Sequence, residues 1–339
     1  MKEVIQIFKL SILQSTLPLI FAPMKQETKS WLLLILLACI WGSSFILMKK
    51  GMFTDNHEPI FSDRQVGALR MFLASLVLLP FALRSLKKVK EPKVWFALIG
   101  SGVCGNFIPA FLFTFAENNG ISSGYAGMLN SFTPIFTLII GFTFFKNRLT
   151  FLQMIGVAIG TVGIVLLSTS GDLEPNKGTY LHVLAIVLAT FLYGISLNLI
   201  KFRLSHLKPI EISSLAFFTI FIPSVFSVIY FDTATTLVTH PQGWEAFSYI
   251  SILGIVGTAF AVILYNVVIN NSSILFASSV TYLIPIVAVL IGFLVNESIN
   301  AWQILAMIII LSGVFMANYY PQLRNNWKNK KNSKQKVAI

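Results

Sequence analysis

Trp41-Gly42-Ser43-Ser44-Phe45, with Lys49 one helical turn beyond, returns 152 residues later as Tyr193-Gly194-Ile195-Ser196-Leu197 followed by Lys201. The correspondence continues along the chain: Asn118-Asn119 with Asn270-Asn271, Pro134 with Pro285, Gln153 with Gln303 and Gly163 with Gly313, the offset drifting from 152 to 150. A single match carries little weight, but five in the same order argue for an internal duplication.

Each copy holds five apolar runs. They fall at 31–48, 66–83, 94–116, 125–145 and 151–170, then at 181–200, 212–231, 247–269, 274–295 and 302–320. A helix crosses the hydrocarbon of a bilayer in about 20 such residues, and in lipid every backbone group must be satisfied within the segment, so each run reads as a transmembrane helix. Composition agrees. Of 339 residues 55% are hydrophobic, 11% are charged and thirty are Phe, and the mean hydropathy is +0.77, too apolar for a soluble domain of this length. Pro80, Pro109, Pro134, Pro223 and Pro285 lie inside runs and mark kinks.

The expected fold is therefore an all-α integral membrane protein with ten transmembrane helices. Because five is odd, the second copy enters the membrane from the opposite side, giving two inverted five-helix repeats at 31–170 and 181–320. Residues 1–30 read as a dispensable extension with Met24 as the initiator, or else as an interfacial helix, and 321–339 as a basic tail.

The net charge of +12 falls mainly between the apolar runs, where Lys and Arg anchor cytoplasmic loops rather than bind nucleic acid. With the N-terminus in the cytoplasm, 20 of the 25 Lys and Arg lie inside, which places both termini on the cytoplasmic face of an inner (plasma) membrane.

Polar groups inside apolar runs are the candidates for a solute pathway, since lipid leaves them without partners. Arg70 stands out: it either binds an anionic group or ties helix ends together through backbone carbonyls. Trp41 and Ser44 share one helical face. Tyr193 and Asn198 offer the equivalent surface in the second copy, and Asn106, Asn130, Tyr265, Asn266 and Tyr282 complete the set, each serving as pathway lining or as a bond between helices. Gly42, Pro134, Gly194 and Pro285 are candidate hinges or simple crossing and kink points.

Other signals point away from chemistry. Gly100-Ser101-Gly102-Val103-Cys104-Gly105 has the letters of a dinucleotide-binding turn but lies within an apolar run, so its small residues read as a close helix contact, as do Gly156 and Gly160. Cys39 and Cys104 show no metal-ligand spacing, the four histidines are scattered, and no nucleophile has a base beside it. The expectation is no metal, no cofactor and no enzyme activity. No Walker sequence is present, so uphill movement draws on a proton gradient or an exchanged solute.

The chain resembles the EamA-type transporters of the drug/metabolite transporter superfamily over nearly everything from Trp31 to Tyr320. The resemblance is carried by Trp41-Gly42, Ser44-Phe45 and Lys49, by Arg70, and by Pro134 and Asn147-Arg148-Leu149-Thr150. Gln153, Gly156 and Gly163 continue it, and Pro285, Glu297, Gln303 and Gly313 close it. In that family a Glu usually precedes the Arg-Leu-Thr turn; Glu297 keeps it in the second half, while the first half has Asn147. The resemblance implies ten helices, cytoplasmic termini, and export or import of metabolites, amino acids or drugs; the expectation for this chain is a secondary carrier working as an exporter. A channel-like or sensor membrane protein is the alternative.

Overall fold

The computed structural model describes residues 26–145, 150–169, 179–272, 277–278, 280–294 and 300–318. Among them the chain is helical throughout its length, with no strand and one isolated bridge between Phe53 and Pro59. Helix α1 runs over Gln26–Met52 and α2 over Asp63–Ser85. Helix α3 (Pro92–Gly102) passes through a wide π-helical turn, Val103–Phe107, into α4 (Ile108–Asn118). A two-residue break separates α5 (Ser123–Asn130) from α6 (Thr133–Phe145), and α7 covers Phe151–Thr169.

Next come α8 (Thr179–Arg203), α9 (Pro209–Tyr230) and the short α10 (Thr233–Thr239). Helix α11 (Gly243–Gly254) passes through a second wide turn, Ile255–Phe260, into α12 (Ala261–Asn271), and α13 (Val280–Leu294) and α14 (Ala301–Asn318) close the described chain. Among the described residues seven helical stretches are long and apolar enough to cross a membrane: Thr28–Met52, Asp63–Lys88, Pro92–Asn118, Ser123–Phe145, Tyr180–Arg203, Pro209–Tyr230 and Gly243–Asn271. The fifth, ninth and tenth apolar runs of the sequence fall on α7, α13 and α14, of 19, 15 and 18 residues.

The outer surface suits lipid. Phe96, Ile222 and Leu294 are 76%, 76% and 78% exposed, in company with many other large apolar side chains, an apolar surface far beyond what water tolerates. Trp31, Tyr180, Tyr230, Trp244 and Trp302 are exposed at helix ends, where amphipathic rings settle at the membrane interface.

Helix pairing is reciprocal. Helix α1 packs on α13 and α8 on α6; α2 packs along α9, and α7 along α14. At the α7–α14 crossing the backbones touch: a Cβ at Gly313 would lie 2.7 Å from the Gly156 carbonyl oxygen and 2.9 Å from Gly160 Cα. The close contact expected of Gly156 and Gly160 is made here, to α14.

The α2–α9 pair is tied near both of its ends. Gln65 forms a capping box with Ser62 and donates from Nε2 to the Phe231 carbonyl (3.0 Å) and to Thr236 Oγ1 (2.8 Å) beyond the end of α9. At the start of α9, Glu211 accepts from the Lys208 backbone N–H at 2.9 Å and pairs with Lys88, beyond the end of α2, at 2.5 Å.

Residues 1–25 and 319–339, which hold the extension, Met24 and the basic tail, lie outside the described residues, as do Asn147, Lys177 and Glu297.

Candidate functional site

Where the helices converge they enclose a cavity of about 140 Å³. Eight of the ten residues singled out in the sequence line it: Trp41, Ser44, Arg70, Asn106, Asn130, Tyr193, Tyr265 and Asn266. Asn198 is not part of this lining. It is buried, and its Nδ2 donates to the Thr137 carbonyl at 3.0 Å and to the Gly194 carbonyl at 2.8 Å, so it joins α8 to α6. Tyr282 lies on α13, and its side chain falls outside the described residues.

The two wide turns both contribute to the cavity wall, and they correspond at the same offset of 152: Gly102 with Gly254, Gly105 with Gly257. A π-helical turn inserts a residue into the helix, turning it and freeing backbone groups, and such turns concentrate at functional sites. Glycine is required in both because another helix crosses there. A Cβ at Gly257 would stand 3.0 Å from Ser44 Oγ on α1. A Cβ at Gly105 would collide with Ser196 Oγ and come 2.9 Å from Ser196 Cβ on α8. Ser44 and Ser196 are themselves 152 residues apart, so one crossing is built twice, each copy's first helix lying on the other copy's wide turn.

One turn earlier the pattern repeats against α2 and α9. A Cβ at Gly254 would lie 3.2 Å from the Arg70 carbonyl oxygen, and one at Gly102 would lie 2.5 Å from the Ala216 carbonyl oxygen. Arg70 and Ala216 therefore occupy equivalent places, and both line the cavity. The close-contact reading of the Gly100–Gly105 stretch is thus the one its surroundings support.

The candidate hinges sit at tight crossings. A Cβ at Gly42 would come 2.5 Å from Val287 Cγ1 on α13, and one at Gly194 would come 3.0 Å from the Thr137 backbone nitrogen on α6. Proline lacks the N–H that bonds the carbonyl four residues back. For Pro134 that carbonyl belongs to Asn130, and the Thr133 hydroxyl donates to it at 3.0 Å. For Pro285 it belongs to Thr281, and the hydroxyl of Ser131, in the break between α5 and α6, donates to it at 3.2 Å. Both freed carbonyls come from residues at the cavity, where broken helix is tolerated in a membrane.

Aromatic rings make up much of the wall. Trp41 and Tyr265 meet edge to face at 4.9 Å, and the Trp41 indole N–H donates to the Gly257 carbonyl at 3.1 Å. Phe113 stacks on Tyr193 at 6.1 Å and meets Phe45 at 5.8 Å. Hydroxyls and amides fill the gaps: Ser101 and Ser196 share a hydrogen bond of 3.2 Å, and Asn266 donates to Ser213 at 2.8 Å while its Oδ1 has no hydrogen-bond partner among the described residues.

Among the described residues Arg70 is the one charged side chain of the cavity wall. Its Nε donates to Thr258 Oγ1 in the second wide turn at 2.8 Å, and Nη1 approaches Met48 Sδ at 3.7 Å. Thr258 is held in turn by its bond to the Leu253 carbonyl at 2.9 Å. A guanidinium carries five N–H donors, so most of its donor edge remains free of protein partners among the described residues. Tyr193 and Glu117 lie within electrostatic reach of Arg70, and Glu117 stands outside the cavity lining. Among the described residues no group of three or more His, Cys, Asp or Glu is placed to hold a metal ion.

Sequence reasoning took Ser101 and Gly105 only as part of a close helix contact, and it missed Gly257, Thr258 and the Ser131–Thr281 bond. The glycines left a signal, a Gly-x-x-Gly repeated at the duplication offset. Ser131 and Thr258 left none, because their roles depend on which carbonyl and which cation stand opposite.

The EamA-like transporter family matches residues 29–169 and again residues 181–319. YedA, an uncharacterized inner membrane transporter of Escherichia coli (strain K12), is 27% identical over 84% of this chain and 88% of its own length. An uncharacterized transporter of Archaeoglobus fulgidus is 26% identical over 85% of this chain and 98% of its own. A probable amino-acid metabolite efflux pump of Escherichia coli (strain K12) is 23% identical over 85% and 94%. One solved structure, known simply as "Crystal structure of protein", superposes with a TM-score of 0.57 at 14% identity, covering 86% of this chain and 96% of that one, a likeness of fold alone. The chain belongs to the EamA-like transporter family; it is a membrane transporter with a small-molecule substrate, and its family is one of transporters rather than enzymes.

Proposed function

We propose that this family member is a secondary carrier of the inner (plasma) membrane that moves a small organic solute by alternating access, coupled to a proton or to an exchanged solute. In this reading ten helices form two inverted five-helix repeats with both termini cytoplasmic, and the solute binds among Trp41, Ser44, Arg70, Asn106, Asn130, Tyr193, Tyr265 and Asn266. The observation that carries it is the doubled crossing of Ser44 on Gly257 and Ser196 on Gly105 around one cavity. Two copies of one contact, exchanged between repeats, give the halves two equivalent ways to lean on each other, which is what a carrier with a midplane site needs. The crossings of Gly42 on α13 and Gly194 on α6, near Pro285 and Pro134, are the hinges.

Cysteine accessibility tests this without knowing the substrate. Cys39 and Cys104 are replaced by Ala, Ser44→Cys is introduced, and a membrane-impermeant maleimide is applied to right-side-out and inside-out vesicles. Alternating access predicts modification from both faces with no ionic conductance in planar bilayers. Modification from one face alone ends the proposal, and conductance makes the protein a channel.

A further inference from the structure

The duplication has placed a cation on one wall of the cavity and not on the other. Where Gly254 crosses α2 the cavity meets Arg70; where Gly102 crosses α9 it meets Ala216. Among the described residues no carboxylate lines the cavity and none forms an ion pair with Arg70; Glu117, within electrostatic reach of it, stands outside the lining. The side chain is fixed at Nε by Thr258, itself held by Leu253, so the guanidinium is aimed rather than free to swing. Its remaining N–H groups form a planar fork, the geometry that binds a carboxylate through two parallel hydrogen bonds. The opposite character surrounds it: Trp41 with Tyr265, and Phe113 with Tyr193, are flat apolar faces, and 140 Å³ is close to the volume that admits one benzene-sized ring.

From this we propose that the solute is a monocarboxylate carrying a single ring, its carboxylate on Arg70 and its ring between the aromatic walls; the inference rests on the carrier reading above. A cation of the same shape is disfavoured because it brings like charge to Arg70, and among the described lining residues there is no acid to receive it. A phosphate monoester is disfavoured because it carries close to two charges against one, leaving the excess unpaired in an apolar site.

The test uses the purified full-length chain and three probes of similar size: 3-phenylpropionate, phenethylamine and phenyl phosphate. Binding is read by thermal shift and by saturable self-exchange in proteoliposomes. The expected result is that 3-phenylpropionate stabilises and exchanges, with the other two at least tenfold weaker. Arg70→Gln weakens 3-phenylpropionate at least tenfold, and Arg70→Lys, which keeps the charge but loses the fork, falls between. If Arg70→Gln does not fold, the preference of the unaltered protein among the three probes decides alone. Equal or tighter binding of phenethylamine or phenyl phosphate overturns the inference, as does an unchanged affinity in Arg70→Gln or failure of all three probes to bind. If the Ser44→Cys thiol is reached from both faces while 3-phenylpropionate fails, only the substrate class is wrong; if the thiol is reached from one face, the carrier reading itself has failed.

Discussion

Alanine at Gly105 should be worse than alanine at Gly257, and shortening the facing serine should reverse the damage at Gly105 alone. A methyl at Gly257 meets Ser44 Oγ at 3.0 Å and Leu253 Cδ1 at 3.4 Å, the tips of side chains that yield a few tenths of an ångström. A methyl at Gly105 meets Ser196 Oγ in a full clash and also Ser196 Cβ at 2.9 Å, an atom that moves only if the backbone of α8 moves. Overpacking of that kind costs about 1–3 kcal/mol. Replacing glycine in helical backbone returns about 0.5–1 kcal/mol in either place. The net expectation is near neutrality for Gly257→Ala and a loss of about 1–2 kcal/mol for Gly105→Ala. Ser196→Gly by itself destabilises, since it adds a helical glycine and breaks the bond to Ser101. In the Gly105→Ala background the same change stabilises, because it removes both clashing atoms. Melting temperatures of the four purified proteins in one detergent form the cycle, and the sign reversal does not depend on converting temperature to free energy. Equal melting of Gly105→Ala and Gly257→Ala, or a Ser196→Gly effect of the same sign in both backgrounds, would refute the crossing geometry.

Three further outcomes follow from contacts away from that pair. Ser131→Ala should cost about 1–3 kcal/mol by orphaning the buried Thr281 carbonyl, and should cost little in a Pro285→Ala background, where the backbone N–H of residue 285 takes over; equal melting losses in the two backgrounds would show that the hydroxyl serves another purpose. Gly313→Val forces a branched side chain onto the backbones of Gly156 and Gly160, so it should abolish the monodisperse peak on size exclusion, and a normal peak would mean that α7 and α14 do not approach so closely. Gln65→Leu strands the carbonyls beyond α9 and should cost about 1–3 kcal/mol; Lys88→Met, whose side chain is 54% exposed, should cost about 1 kcal/mol or less, and the reverse order in a melting series would contradict the unequal weight assigned to the two ties.

The sequence was readable where its meaning is local. Apolar runs announce helices because lipid satisfies nothing else, and Arg70 in mid-run had to face either a cavity or a partner; it does both, reaching Thr258 while lining the cavity. Reading failed where meaning depends on rotation about a neighbouring helix. Asn198 and Asn130 look alike as amides in apolar runs, yet one is consumed by the Thr137 and Gly194 carbonyls and the other lines the cavity. Nothing in a single sequence tells them apart, since both choices satisfy the rule that an amide in hydrocarbon wants a partner. The wide turns failed for a different reason. They are anomalies of backbone hydrogen bonding, and the glycines that permit them read equally well as contact points, which they also are.

Duplication explains why the cavity can be both symmetric in its joints and asymmetric in its chemistry. On the proposed carrier reading the joints must match: if Gly105 and Gly257 gave way to larger residues at only one crossing, the two leanings of the halves would differ by the strain there, and the strained access state would be depleted. On the same reading the wall need not match, because a solute would bind once per cycle and meet the same lining whichever side is open. A guanidinium at residue 70 facing an alanine at residue 216 is therefore compatible with balanced switching, whereas alanine at residue 105 is not. That contrast separates the two classes of variant by experiment. Substitution at Arg70 should change which solute is carried and leave two-sided labelling of the Ser44→Cys thiol intact, while Gly105→Ala should shift the labelling toward one face whatever the solute.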